Sequence, residues 1–243
     1  MDDVHPFCMK RVLLVDAVEA PAGSAAGPLG SVEQWFGRHL ARGVEVQTLP
    51  AGSGELTAAA QAADGVIISG SPRDAWGDEA GVRHLLEFAR RIVAGRQPVL
   101  GVCFGHQLLG RALGGEVQRS PAGWEVGART VELTAAGLRS ALFVGFSPQF
   151  AVIQSHQDAV LALPSGAAVL ATNAHTTIQA FSVEERVFGV QFHPEMDGGI
   201  LRHRWTERRE KLRGQTGFDL DHALDSAEAD ASRVLQNFVK LMR

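Results

Sequence analysis

The chain has 243 residues, of which 45% are hydrophobic and 21% are charged, which suits one large globular domain or two small ones. Its formal net charge of −4 at pH 7 argues against nucleic acid held through phosphate contacts, and no apolar stretch reaches the length of a membrane span. Two cysteines cannot make a disulfide framework, and the first ten residues hold no apolar signal core, so a cytoplasmic protein with reduced thiols is predicted.

Strands and helices are predicted to alternate along the first half of the chain. Residues 1–10, with Cys8, are expected to form a flexible tail, and residues 20–30 a loop rich in glycine, alanine and proline. Short apolar runs predict strands at residues 11–16, 44–49, 65–69 and 98–102. Apolar residues at helical spacing predict helices at residues 32–43, 55–63, 82–93 and 104–113. This alternation is typical of an open, mostly parallel α/β sheet flanked by helices, whose ligands bind at the carboxyl ends of the strands.

The second half of the chain is predicted to consist mainly of short strands, with few helices between them. Short strands are expected at residues 127–133, 149–153, 167–171, 177–183 and 186–191, with one short helix at residues 135–142. They predict a smaller antiparallel or mixed section laid over the edge of the parallel sheet. Residues 201–243 are expected to be C-terminal helices, a basic one at residues 201–213 and a last one, with an apolar stripe, that packs back on the sheet. Because no convincing boundary interrupts the chain, residues 1–243 are predicted to be a single domain.

The segment around Cys103 has the pattern of a buried strand that turns sharply into a helix. Gly101 and Gly105 flank the cysteine at minus two and plus two, where no side chain obstructs a tight bend. In such a nucleophile elbow the reactive atom is pushed out over the sheet, and the helix N-terminus stabilises a thiolate. Cys103 is therefore the predicted nucleophile, the alternative being a buried structural cysteine.

A cysteine nucleophile needs a base, and the base needs an orienting group, which the sequence His193-Pro194-Glu195 offers. Pro194 disfavours helical geometry at His193, and residues two apart in an extended chain project to the same side. Glu195 is thus predicted to fix the imidazole tautomer while the other ring nitrogen faces the thiol. A surface histidine before a proline turn is the alternative.

Three motifs together resemble a class I, triad-type glutamine amidotransferase domain, closest to the glutaminase domain of GMP synthase and its stand-alone relatives. They are Gly-x-Cys-x-Gly-His-Gln at residues 101–107, His-Pro-Glu at residues 193–195 and Gly-Ser-Pro at residues 70–72. The resemblance covers residues 12–195 and implies the flavodoxin-like α/β fold of that family. It also implies that Cys103 attacks the side-chain amide of glutamine, forms a γ-glutamyl thioester and releases ammonia and glutamate.

Further residues are predicted to bind the oxyanion and the substrate. An oxyanion hole is predicted from the backbone N–H of Phe104, which opens the helix, and from the Gly70–Ser71 turn, where Ser71 replaces the middle glycine usual in the family. The resemblance implies that Gln107 contacts the bound glutamine. Residues 154–158 resemble the family segment whose backbone grips the α-amino and α-carboxyl ends of the substrate. The matching positions there are Ser155, His156 and Gln157.

Two other histidines are weaker candidates for the base. His106 is too close to Cys103 in sequence and leaves on a helix, so it is expected to pack or to form hydrogen bonds. For His156, no carboxylate is expected to be placed as well for orienting the ring as Glu195 is for His193. No phosphate loop, dinucleotide fingerprint or metal-ligand motif is present, so neither a cofactor nor a metal is predicted.

Several functions stay open at this point. The first is a glutaminase that supplies ammonia to a synthetase or other acceptor on a separate chain, since this sequence carries no synthetase motif. The second is a stand-alone γ-glutamyl hydrolase or peptidase that uses the same thioester. A catalytically silent regulatory partner is disfavoured because all three triad residue types are present. An unrelated cysteine hydrolase is disfavoured because its acid would precede the histidine in the chain.

Overall fold

The computed structural model describes residues 9–18, 29–212, 223–224 and 229–242. The strands in these ranges are β1 (Lys10–Asp16), β2 (Val44–Pro50), β3 (Gly65–Ile68), β4 (Val99–Val102), β5 (Glu116–Arg119), β6 (Glu125–Leu133), β7 (Gln149–His156), β8 (Asp158–Ala162), β9 (Ala168–Thr172), β10 (Ala180–Val183) and β11 (Val187–Val190). The helices named below are α1 (Val32–Gly37), α2 (Leu56–Ala62), α3 (Ala80–Val93), α4 (Phe104–Ala112), α5 (Gly198–Leu212) and α6 (Arg233–Leu241).

Nine of the described strands form one sheet in the order β2-β1-β3-β4-β11-β10-β9-β6-β7. The five strands from β2 to β11 pair in parallel, whereas the pairs from β11 to β7 are antiparallel. The predicted fold class, a mostly parallel α/β sheet with an antiparallel section, is therefore confirmed. The antiparallel strands continue the same sheet rather than lie over its edge. Strand β11 joins the two parts, since it pairs in parallel with β4 and antiparallel with β10.

A second, two-stranded sheet pairs β5 with β8 and was missed by the sequence analysis. Three of the four residues of β5 are exposed, so the strand has neither an apolar run nor a clear alternation. Its register sets Arg119 opposite Asp158, which brings a guanidinium and a carboxylate to one edge of the candidate site.

Helices cover both faces of the large sheet. Successive residues of β1 point to opposite faces, with Val12 and Leu14 in one buried cluster and Leu13 and Val15 in the other. Helices α2, α3 and α4 contribute buried side chains to the second cluster, and α1, α5 and α6 to the first. The expectation that the last helix packs back on the sheet is confirmed. No described helix combines the length and the hydropathy that crossing a bilayer requires.

Several element boundaries differ from the prediction. The helix expected at residues 135–142 is two 3₁₀ turns, Gly137–Arg139 and Ala141–Phe143. A Cβ on Gly137 would overlap the Leu170 carbonyl, so this segment lies directly against β9. Lys10, expected in the tail, begins β1. Residues 1–8 with Cys8, residues 20–28, residue 213 and part of the final apolar stripe, including Ala227, lie outside the described residues.

The crossing of β4, α4 and β3 leaves no room for side chains at the two glycines beside Cys103. A Cβ on Gly101 would overlap the Gly105 carbonyl, and a Cβ on Gly105 would overlap the Ile68 carbonyl of β3. Both obstacles are backbone atoms, which cannot rotate away as a flexible side chain can. The predicted need for glycine at both positions is confirmed, and its cause is contact with neighbouring backbone.

Gly105→Ala is expected to lower the free energy of unfolding by at least about 1–3 kcal/mol, because one extra methyl group must displace buried backbone. Gly37→Ala is the matched control, since a Cβ at Gly37 would meet nothing within 4 Å. Urea unfolding measures both. Equal midpoints for Gly105→Ala and the wild type would contradict the steric account.

Candidate active site

Cys103 lies at the turn between β4 and α4 with φ 52° and ψ −103°. A positive φ is unfavourable for a residue with a side chain and persists only where the surrounding structure enforces it. The Cys103 N–H donates to the Val190 carbonyl at 2.9 Å, and the residue is 6% exposed. Since α4 begins at the next residue, Cys103 stands at the positive end of a helix dipole. The sharp strand-to-helix turn predicted from the sequence is present.

The structure brings the three predicted catalytic side chains together. His193 Nδ1 lies 2.8 Å from Glu195 Oε1, and the same imidazole forms a hydrogen bond with the Cys103 side chain. His193 and Glu195 are both buried. Gly70 closes the other side, because a Cβ there would lie 3.0 Å from His193 Cε1 and 3.7 Å from Cys103 Cβ.

His193 and Glu195 meet through a turn rather than through the extended geometry that the sequence predicted. The Met196 N–H donates to the His193 carbonyl at 3.4 Å, which closes a four-residue turn with Pro194 in its second position. Proline favours that position because its ring presets φ near −65°. The pairing of the two side chains was predicted correctly, and the local geometry assigned to it was wrong.

The surroundings of His193 favour its protonated form. Burial lowers the pKa of His193, but the charges of Glu195 and Cys103 oppose burial and raise the pKa to about 10. His193 is therefore an imidazolium at neutral pH, beside a cysteine at a helix N-terminus. The pKa of His193 in the folded protein exceeds the ordinary value of 6.5. Protonation of His193 therefore stabilises the fold fully below about pH 6.5, and this stabilisation is lost as the pH rises through about 10.

The backbone donors predicted for an oxyanion hole all adjoin Cys103. As the first residue of α4, Phe104 has an N–H with no intrahelical acceptor. Ser71 lines the same cavities as Cys103, and its Oγ accepts the Arg73 N–H at 3.2 Å. Ser71 does not adopt a positive φ, so a serine replaces the usual glycine without backbone strain. The role of Gly70, Ser71 and Phe104 in binding an oxyanion stays a prediction.

Two cavities meet at Cys103, and Ser71 and Ser155 also line both of them. The first, here called the polar cavity, has a volume of about 200 Å³. Its lining includes Asp74, Gln107, Arg119, His156, Gln157 and Asp158. The second, here called the His193 cavity, has a volume of about 30 Å³. Its lining includes His193, Glu195, Trp35, Phe36 and Met196.

His156 has a carboxylate partner, contrary to the expectation from sequence. Its Nε2 lies 2.9 Å from Glu125 Oε2, and its Nδ1 lies 3.0 Å from the Asp158 carbonyl oxygen. Glu125 is directly opposite His156 in the pairing of β6 with β7, but it is 31 positions away in the chain, beyond the reach of a local motif. With both ring nitrogens engaged, His156 has none left to act on Cys103.

The remaining predicted substrate contacts line the polar cavity, and two of their side chains have partners within the protein. Gln107 Nε2 donates to the Asp158 carbonyl at 2.9 Å and to Gln191 Oε1 at 3.1 Å. The indole of Trp205 donates to Ser155 Oγ at 2.9 Å. Gln157 also lines this cavity. Their contact with a substrate stays a prediction.

An ionic cluster at the edge of the polar cavity was missed by the sequence analysis. Arg119 Nε lies 3.3 Å from Asp158 Oδ1, Arg119 Nη2 lies 3.3 Å from Asp74 Oδ1, and the Trp76 indole donates to Asp158 Oδ2 at 3.1 Å. Burial and the charge of Asp74 raise the pKa of Asp158, against the opposing effect of Arg119. The cluster joins three distant segments. Its only signal in the sequence is Asp158, the last residue of the segment at 154–158.

His106 packs in the core and does not face the thiol. Burial lowers its pKa to about 3, so the ring is neutral, and it lies 5.0 Å from the Phe181 ring between centroids. The expectation of a packing residue is confirmed. Within the described ranges, no group of three or more histidine, cysteine or acidic side chains is arranged to hold a metal ion.

Comparison with known proteins gives a consistent result. A family model described as "Glutamine amidotransferase class-I" matches residues 30–210. Gamma-glutamyl peptidase 3 of Arabidopsis thaliana is 36% identical over 141 residues, which are 57% of this chain and 57% of that protein. A GMP synthase [glutamine-hydrolyzing] of Aeropyrum pernix is 43% identical over 155 residues, which are 63% of this chain and 28% of that protein. The matches thus span little more than half of the peptidase and less than a third of the synthase.

Solved structures agree on the fold. A glutamine amidotransferase from Thermotoga maritima has a TM-score of 0.74 at 22% identity, over 96% of this chain and 97% of that one. A glutamine amido transferase from Methylobacillus flagellatus has a TM-score of 0.72 at 24% identity, over 96% of this chain and 95% of that one. At such identities the likeness concerns the fold alone.

His193→Ala is expected to slow the alkylation of Cys103 by iodoacetamide at pH 6.5 at least about tenfold, because the variant lacks the cation that stabilises the thiolate. The rate is measured by mass spectrometry of the labelled protein. Above pH 10, where His193 itself loses its proton, the difference should shrink. His84→Ala, an exposed histidine on α3, is the matched control, and equal rates in all three proteins would show that His193 does not activate Cys103.

Proposed function

This chain belongs to the class I glutamine amidotransferase family, and from that premise we propose that it hydrolyses the side-chain amide of glutamine through a γ-glutamyl thioester on Cys103. One observation carries the proposal. A buried imidazole that is hydrogen-bonded to a carboxylate on one side contacts a cysteine at a helix N-terminus on the other. This is the arrangement that nucleophilic catalysis by a thiolate requires.

In the first half of the proposed reaction, the Cys103 thiolate attacks the γ-carbonyl carbon and a carbon–sulfur bond forms. Negative charge develops on the carbonyl oxygen, where the N–H of Phe104 and a donor of the Gly70–Ser71 turn can stabilise it. The His193 imidazolium gives its proton to the amide nitrogen, the carbon–nitrogen bond breaks, and ammonia leaves. Glu195 keeps the imidazole in the required orientation throughout.

In the second half, water attacks the thioester carbon and gives a proton to the neutral His193. A carbon–oxygen bond forms, the carbon–sulfur bond breaks, and the thiolate returns beside a protonated His193. Glutamine and water have then become glutamate and ammonia, and no oxidant, metal or cofactor is needed. The same groups serve both halves, since each half passes through an oxyanion at one place.

The two cavities suggest where the parts of the substrate bind. The leaving nitrogen must face its proton donor, so it departs into the His193 cavity, and the charged α-amino and α-carboxylate end occupies the polar cavity. A volume of about 30 Å³ accommodates only one or two molecules the size of water or ammonia. This favours glutamine, whose leaving group is ammonia. As in the sequence prediction, the acceptor of that ammonia is proposed to be a synthetase on a separate chain.

A second candidate is the γ-glutamyl hydrolase or peptidase that the sequence left open. Two observations favour it, the similarity to a gamma-glutamyl peptidase and the apolar side chains of Trp35 and Met196 that line the cavity beside His193. An amine with an apolar substituent would bury that substituent on these side chains. The chemistry on Cys103 is the same, and only the leaving amine differs.

Cys103→Ala is expected to reduce glutamate release from glutamine by at least about 10³-fold, because the covalent route is lost. A coupled glutamate assay measures it, and Cys8→Ala serves as the matched control with activity unchanged. Undiminished turnover by Cys103→Ala would contradict the thioester mechanism.

A series of γ-glutamyl amides with ammonia, methylamine, butylamine and an amino acid as leaving groups separates the two candidates. If the His193 cavity admits only ammonia, kcat/KM should fall steadily with the size of the amine, by about tenfold or more per added pair of carbons. Turnover of the amino-acid amide far above that of glutamine would favour the peptidase.

A further inference from the structure

A buried carboxylate on β6, that of Glu125, lies beneath the polar cavity and has three strong donors. Its Oε1 accepts from Asn173 Nδ2 at 2.6 Å, and its Oε2 accepts from Gln179 Nε2 at 2.8 Å and faces His156 Nε2 at 2.9 Å. The side chains of Glu125 and His156 are each 1% exposed. A buried charge with this many partners is costly to assemble and to disrupt.

Hydrogen-bonding geometry sets the protonation state of His156. Its two ring nitrogens face the Glu125 carboxylate and the Asp158 carbonyl, and both of these groups are acceptors. Only a ring with a hydrogen on each nitrogen can satisfy both, so His156 is an imidazolium paired with a carboxylate. Burial raises the pKa of Glu125, but the hydrogen bond and charge of His156, with Asn173 and His175, lower it below the ordinary value.

The pair belongs to a closed circuit of hydrogen bonds around the base of the cavity. The Asp158 carbonyl accepts from His156 and also from Gln107 Nε2, at 2.9 Å. Gln107 donates in turn to Gln191 Oε1, and the Gln191 N–H donates to the Gln179 carbonyl at 2.8 Å. The Gln179 side chain returns to Glu125. The circuit connects the helix that begins after Cys103 with the strand that leads to His193.

We propose that Glu125 is a positioning residue for the substrate site: by holding His156 doubly protonated it fixes the Asp158 carbonyl and the Gln107 side chain, and with them the wall formed by residues 155–158. Glu125 touches neither Cys103 nor the polar cavity, so it acts only through these residues. The inference rests on the proposed function in one respect, that a glutamyl group occupies this cavity.

Replacing Glu125 by glutamine tests the charge with little change in shape. A neutral amide no longer supports an imidazolium, and where the amide oxygen faces a neutral His156 the ring has one N–H for two acceptors. The new amide nitrogen would also face a donor, either Asn173 Nδ2 or one of the Oε2 donors. One hydrogen bond of the circuit is therefore broken in any arrangement, and the circuit no longer fixes the position of the cavity wall.

Two covalent probes of Cys103 separate positioning from general damage. Iodoacetamide requires only a reactive thiolate, whereas a chloroketone analogue of glutamine must also bind through its α-amino and α-carboxylate groups. In either reaction sulfur forms a bond to carbon and a halide ion leaves. Labelling is followed by mass spectrometry, and the concentration dependence of labelling by the chloroketone gives its binding constant KI.

For Glu125→Gln, the rate with iodoacetamide should stay within about twofold of the wild type, while KI rises at least about tenfold because a hydrogen bond to a charged group is lost. Turnover of glutamine should change mainly in KM. Glu125→Asp, which retains the charge on a shorter side chain, should recover part of the binding. Glu132→Gln removes an exposed carboxylate from the same strand and is the control that should change neither probe.

Each other outcome overturns the inference. If Glu125→Gln slows labelling by both probes by the same factor relative to the wild type, the residue is merely structural. If labelling by neither probe changes, the residue has no role in positioning. Should Glu125→Gln not fold, Glu125→Asp decides by the same comparison, since a selective rise in KI is expected there too. A wild type that reacts with iodoacetamide but never with the chloroketone overturns the proposed function as well.

Discussion

The parallel pairing of β4 with β11 is the constraint on which the rest of the site depends. Val102 lies opposite Val190, so both strands end at one edge of the sheet, and the Cys103 N–H donates directly to the Val190 carbonyl. The residues that follow neighbouring parallel strands lie at the same edge of the sheet. The cysteine and the histidine, which are far apart in the chain, therefore meet without any local signal that links them. Backbone contacts at Gly101 and Gly105 then hold the cysteine in its strained turn.

Two pairs of histidine and carboxylate lie near Cys103, one beside each cavity, and they differ in how the nitrogens of the histidine ring are used. His193 uses one nitrogen for Glu195 and keeps the other for the sulfur, so it can move a proton. His156 uses both nitrogens, for Glu125 and for a backbone carbonyl, so it can only hold a structure in place. The two pairs therefore differ in how many ring nitrogens are engaged, which leaves His193 a nitrogen that faces Cys103 and leaves His156 none.

Most elements of the parallel half could be predicted because each strand there is a continuous apolar run between helices of clear periodicity. The elements of the antiparallel half were harder to predict from the sequence. The run at residues 186–191 resembles its neighbours in composition, and only its burial between β4 and β10 makes it a central parallel strand. Strand β5 escaped notice because its exposed residues carry no pattern, although its pairing with β8 forms one wall of the site.

The sequence by itself determined the family, the sharp turn at Cys103 and the nearness of His193 to Glu195, since each rests on short motifs that can be recognised without knowing how distant segments pack. The tertiary structure alone decided that Glu125 partners His156 and that Arg119 joins Asp74 to Asp158. Local motifs encode local backbone geometry, whereas the partner of a buried charge is chosen by strand order and register. That order is a property of the whole sheet, in which segments distant along the chain become neighbours.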